Sequence, residues 1–159
     1  MSGKLASEIR QSKAFDSLEE EAILNLARTH EFVQQRSSGF FKQFQLTATQ
    51  YNILRILRGA GKNGISCTEA SDRMVTSDPD ITRLLDRLES RNLIVRERSR
   101  GDRRVVISRI SEDGLELLKS IDKPLARFIK RTIGHIGRER LEQFVETLES
   151  IRESEASTG

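Results

Sequence analysis

From Leu93 to Ile110 the apolar residues of the chain alternate at a period of two, while on either side they recur at three- and four-residue spacing. Leu93 to Ser99 and Val105 to Ile110 therefore read as the arms of a β-hairpin, with Arg100, Gly101, Asp102 and Arg103 in its loop. That switch confines extended structure to one small ribbon and leaves the rest to helices. Composition agrees, since 32% of the 159 residues are charged and only 5% are aromatic, which suits charge-faced helices better than a sandwich.

Caps and punctuation mark the helices. Ser17 and Glu20 have the spacing of a capping box, and Ile23, Leu26, Ala27, His30, Val33, Ser37, Phe40, Phe41 and Phe44 follow at helical intervals despite Gly39. The polar leader before it, Met1 to about Phe15, is expected to fray. Thr47 and Gln50 open a second helix, closed by Gly59, Gly61 and Gly64. Ser66 and Glu69 open a short third one, with Ala70, Met74 and Val75 expected inward. After a turn at Thr76 and Ser77, Asp78 is expected as an N-cap with Pro79 at the first helical position. Ile81, Leu84, Leu85 and Leu88 form the inner stripe of that fourth helix, and Asn92 stops it.

Beyond the hairpin, Leu118, Ile121, Leu125, Phe128 and Ile129 share a face of a fifth helix that Pro124 is expected to kink or split. Leu141, Phe144, Val145, Leu148 and Ile151 mark a sixth, and the closing "SEASTG" reads as a disordered tail. The expected fold is mainly α with a small β-hairpin wing, in the order helix, helix, short strand, helix, helix, hairpin, helix, helix. It forms a single domain, 1–159.

The formal net charge is only +3, with an isoelectric point near 9.3, so the distribution matters more than the sum. From Arg87 to Arg109 there are eight arginines against Glu89, Glu97 and Asp102, more net positive charge than the whole chain carries. Every basic residue from Arg73 to Arg109 is arginine, whose planar fork can engage guanine O6 and N7, or a phosphate, with two hydrogen bonds.

Two short helices joined by a tight turn and followed by a basic hairpin make a winged helix-turn-helix. In that arrangement the second helix enters the major groove by its N-terminal residues. Ser77, Asp78, Pro79, Thr82 and Arg83 then lie nearest the bases, with Arg87 toward phosphate. Arg98 and Arg100 belong to the wing, and Arg103 at its tip is suited to the minor groove. For any one arginine a merely solvated face is the alternative, but the set beside a basic hairpin points to nucleic acid.

The runs "LTATQYNILRIL", "TEASDRM" and "PDITRLLDRLESRNLIVRERSRGDRRVVISRISEDGLELL" resemble the MarR family of bacterial winged helix-turn-helix transcriptional regulators. The most specific parts are Leu46, Thr47 and Gln50, then Thr82 to Glu89, then Asp102 to Arg104. The resemblance implies a salt bridge between Asp102 and Arg104 within the wing, with Arg103 reaching the minor groove. It also implies a dimer formed by helices near both chain ends, and release of DNA when a small, often aromatic or phenolic, effector binds between the lobes. Asn92 and Gln45 stand where the family commonly has glycine. Asp78 and Asp80 put two acids at the start of the DNA-facing helix, explicable as cap and first-turn residues or as contacts to cytosine.

On this reading residues 46–110 form the DNA-binding lobe, and 17–45 with 111–153 form a helical dimerisation lobe. The apolar stripes of the second lobe need burial, and a second copy of the chain is the economical partner. A two-fold dimer predicts a near-palindromic double-stranded site with half-sites about 34–36 Å apart. Phe40, Phe41, Phe44, Leu125, Phe128, Leu141, Phe144, Leu148 and Ile151 are candidates for core or interface, which periodicity cannot separate.

Three residues are candidate sensors. His30 is either a buried, hydrogen-bonded core histidine or a lining residue of an effector cavity. Tyr51 either plugs the core or offers its hydroxyl to the effector. Cys67, following the Ser66 cap, is either a small half-buried residue or a thiol favoured as thiolate at a helix start. A redox-responsive regulator acting through Cys67 is thus one alternative function, and a winged-helix module holding an acidic protein partner is another. One cysteine cannot form an internal disulfide, and no apolar run is long enough for a membrane span, so a reduced, cytoplasmic protein is expected. No catalytic constellation, metal-ligand spacing or cofactor motif is visible, which argues against an enzyme.

Overall fold

The computed structural model describes residues 4–156. Seven helices surround a three-stranded antiparallel sheet: α1 (Lys4–Glu8), α2 (Leu18–Lys42), α3 (Ala48–Ala60), β1 (Ile65–Ser66), α4 (Cys67–Asp72), α5 (Ile81–Ser90), β2 (Ile94–Arg98), β3 (Val106–Ile110), α6 (Glu112–Ile133) and α7 (Arg138–Ala156). The strand order is β1-β3-β2, so the hairpin is extended by two residues at its β3 edge. The expected class holds, mainly α with a hairpin wing. Its one addition is α1, where fraying was expected; Leu5 of α1 is buried at 2% exposure, and Glu8 lies 3.9 Å from Arg28 of α2. At the other end the helix continues through Ala156 rather than stopping at the expected tail, whose residues 157–159 lie outside the described residues.

Local chemistry accounts for most boundaries. Thr47 accepts from the Gln50 amide at 3.1 Å while Gln50 Oε1 accepts from the Thr47 amide at 3.0 Å, a complete capping box. Ser66 and Glu69 form the second complete box; the hydrogen bonds from the Ser66 amide and hydroxyl hold the Glu69 carboxyl below its usual range. At Ser17 only half the box forms, because Glu20 turns to the amide of Asp16. Gln45 and Asn92 take positive φ, 54° and 58°, the left-handed conformation that a glycine would adopt more cheaply.

Three expectations are changed or resolved. Asp80, not Asp78, caps α5: its side chain accepts from the Arg83 amide, while Asp78 accepts from the Asp80 amide at 2.9 Å and so tightens the preceding turn, which contains Pro79. The third helix ends at Asp72, so Met74 is only half-buried and Val75 is 78% exposed instead of inward. Pro124 does not split its helix, which runs unbroken from Glu112 to Ile133.

The core joins both lobes. Ile53, Leu54 and Leu57 of α3 pack with Leu84, Leu85 and Leu88 of α5, Ile94 of β2, and Leu118 and Ile121 of α6. Phe40 and Phe41 close it from α2, with Phe40 stacked on Phe128 at 4.7 Å between ring centres. The candidates for core or interface therefore divide. Phe40 and Phe41 are core, Phe44, Leu125 and Phe128 pack against it, and Phe144 stays exposed. Gly114 permits this closure, since a Cβ there would collide with the Leu93 carbonyl oxygen. Ser111 accepts the Gly114 amide and donates its hydroxyl to the Asn92 carbonyl, fastening the start of α6 to the end of α5.

Candidate nucleic-acid interface

Helix α5 buries Leu84, Leu85 and Leu88 and turns Thr82, Arg83, Asp86 and Arg87 outward. Ser77 and Pro79 are exposed in the turn before it and Asp78 is half-buried. The wing tip runs from Ser99 to Val105, closed by the Ser99 amide donating to the Val105 carbonyl at 2.8 Å. Asp102 does not bridge to the Arg104 guanidinium as expected. Its Oδ1 accepts from the Arg104 backbone amide at 2.9 Å, because a carboxylate two residues before an amide closes a turn more readily than it reaches a long, solvated side chain.

The arginines fall into two sets. Arg91, Arg96 and Arg109 are tied to the scaffold: Arg91 donates to the Gln45 carbonyl at 2.6 Å, and Arg109 donates to the Lys62 carbonyl at 2.7 Å and pairs with Glu97 at 2.8 Å. Arg96 is well enclosed, with its side chain 20% exposed, and it donates to Glu89 through Nε and Nη2 and to Asp86 through Nη2. Its hydrogen bonds to Glu89 hold the guanidinium pKa above its ordinary value. By contrast, Arg87, Arg98, Arg100, Arg103 and Arg104 are exposed, and no side-chain hydrogen bond or ion pair engages them among the described residues. Arg83 is exposed too, with its Nε 3.2 Å from Asp80.

The clamp of Arg96 on Asp86 and Glu89 joins the wing to α5, and sequence reasoning missed it. Nothing in the spacing signals a bond between a helix face and a strand several residues on. A second missed residue is Asn52 of α3, whose Oδ1 accepts from the Val75 amide at 3.0 Å and so holds the turn before α5.

The three candidate sensors occupy separate places. Tyr51 stacks on Phe41 at 4.7 Å and lines a cavity of about 450 Å³ between α2, α3, α6 and the α4–α5 turn, with Arg55, Asn52, Thr76 and Phe128. Burial raises the pKa of its phenol, which stays a neutral donor at physiological pH. His30 is exposed rather than buried, 3.5 Å from Gln34, in a groove between α2 and α7 that does not include Tyr51. Cys67 is half-buried beneath the wing, in a cavity of about 380 Å³ with Arg96 and Ser108.

Helices α4 and α5 with their turn and the β2–β3 ribbon define a winged helix-turn-helix protein. A family model described as MarR family matches residues 44–105. A MarR transcription factor from Planctomyces limnophilus, known as a crystal structure, is 39% identical over 85% of this chain and 98% of its own, with a TM-score of 0.68. The repressor CouR, solved on a 23-mer DNA duplex, is 27% identical over 89% of this chain and 99% of its own, at a TM-score of 0.76. The regulator MhqR of Bacillus subtilis is 26% identical over 79% of this chain and 86% of its own. The chain belongs to the MarR family of transcriptional regulators; it is a DNA-binding protein and not an enzyme.

Proposed function

We propose that the protein is a homodimeric repressor that binds a near-palindromic operator and releases it when a small aromatic or phenolic molecule occupies the cavity beside Tyr51. The observation that carries the DNA-facing part is the exposed set Arg87, Arg98, Arg100, Arg103 and Arg104, left unpaired while Arg91, Arg96 and Arg109 serve the scaffold. Ser77, Asp78, Pro79, Thr82 and Arg83 meet base edges, Arg87 meets phosphate, and Arg98, Arg100 and Arg103 carry the wing along the backbone into the minor groove. Residues 46–110 act as the DNA-binding lobe, working in the cytoplasm.

Residues 17–45 with 111–153 act as the dimerisation lobe. In support, Leu18 and Ile23 of α2 are 77% and 60% exposed, and Phe144 and Val145 of α7 are exposed as well. The effector reading is supported by the apolar lining and single phenol of the cavity between the lobes, and by the hydrogen bond from Val75 to Asn52 in its wall. An effector acts only if it binds the released state more tightly than the DNA-bound one. His30, in another groove, takes no part in that site.

A gel shift of genomic fragments against competitor DNA tests the proposal. The expected result is retention of a few fragments with an inverted repeat, weakening steeply as salt rises. Failure to prefer any fragment at low salt would overturn it.

A further inference from the structure

We infer that Asp80 aims Arg83, and that each operator half-site carries a guanine at the base pair Arg83 meets. The inference rests on the reading that α5 enters the major groove. Asp80 uses both carboxylate oxygens on one residue: Oδ1 accepts from the Arg83 amide at 3.3 Å, and Oδ2 lies 3.2 Å from Arg83 Nε. Asp80 is itself held from behind, since its amide donates to Asp78 Oδ1 at 2.9 Å. The chain of contacts therefore runs from the turn through the cap to the guanidinium, and it commits both Asp80 oxygens to Arg83.

With the Asp80 carboxylate as an ion-pair partner beside Nε, the far edge of the guanidinium keeps two parallel N–H groups on its Nη atoms. In the major groove, guanine presents two adjacent acceptors, O6 and N7, that match this edge, while adenine presents one acceptor beside a donor. Arg87, one turn further along α5, has no such carboxylate among the described residues and stays free to follow a phosphate. In water the exposed Asp80–Arg83 pair contributes little, but it strengthens once DNA excludes solvent from around it. Its effect belongs in base discrimination rather than in the stability of the free protein.

Selection from a randomised duplex library, with the full-length protein at fixed salt, tests this. The wild type is expected to enrich one guanine per half-site. Asp80→Ser still caps the helix but is too short to reach Nε, and should lose about tenfold of that preference. Asp80→Asn, which keeps a neutral acceptor, should lose less, and Arg83→Lys should match Asp80→Ser because an ammonium has no fork. Thermal midpoint and salt dependence should stay near wild type in both Asp80 variants, since Asn and Ser cap as well as Asp. Tighter binding of all duplexes with the guanine preference intact would show that Asp80 only repels DNA and overturn the inference. So would an Arg83→Ala variant that loses salt dependence but no base preference. A wild type that selects no duplex would instead overturn the DNA reading beneath it, and the inference with it.

Discussion

Among the described residues, Asp102 has no ion-pair partner although cations surround it at the wing tip. Its Oδ1 accepts the Arg104 amide, so the loop needs its acceptor rather than its charge. Asp102→Asn keeps that acceptor and removes a negative charge near phosphate; in a binding titration its affinity for operator DNA should equal or exceed wild type. Asp102→Ala removes the acceptor and should weaken binding about two- to tenfold, the range of one hydrogen bond. If alanine bound as tightly as asparagine, net charge alone would govern the tip. The sequence already singled out this aspartate, but the identity of its partner depended on the loop's backbone path.

Between elements, the Arg96 clamp makes α5 and the wing one body. Removing the guanidinium leaves Asp86 and Glu89, neighbours one turn apart on α5, without their shared cation and the wing without its tie to the helix. Arg96→Ala should therefore lower DNA affinity and speed amide exchange along β2, while the salt dependence of binding stays unchanged because Arg96 meets no phosphate. Arg98→Ala should do the reverse, reducing the salt slope by about one counterion with β2 protection intact. Equal salt slopes in the two variants would refute this division. The hairpin, every helix but α1 and two complete caps were legible from period and spacing. The shift of the α5 cap from Asp78 to Asp80 was not, because two acids around a proline satisfy the same pattern and only the backbone decides which one meets the helix.

At the scale of the whole molecule, α2 and α7 leave apolar side chains exposed, Ile23 and Val145 among them. Ile23→Asp places a charge on the α2 face without touching the core. In the proposed dimer it should halve the mass seen by sedimentation and weaken operator binding by more than an order of magnitude, with a shallower salt dependence as half the phosphate contacts are lost. A monomeric wild type, or a dimeric variant with full affinity, would refute the assignment. The candidate sensors show why this scale was hard to read. His30 and Tyr51 belong to separate cavities at different heights along α2, although periodicity places both among apolar neighbours.

The sequence by itself determined the mainly α class, the single hairpin and the run of arginines, because periodicity, caps and charge act over a few residues, and the likeness of its motifs to MarR regulators pointed to the family. Only the tertiary structure decided which arginines are free, that Asp102 serves an amide, that Asp80 holds Arg83, and that Val75 faces solvent. Those outcomes hang on groups brought together from different elements or around a turn. An exposed guanidinium and one pinned by two carboxylates look alike until the chain has closed on itself.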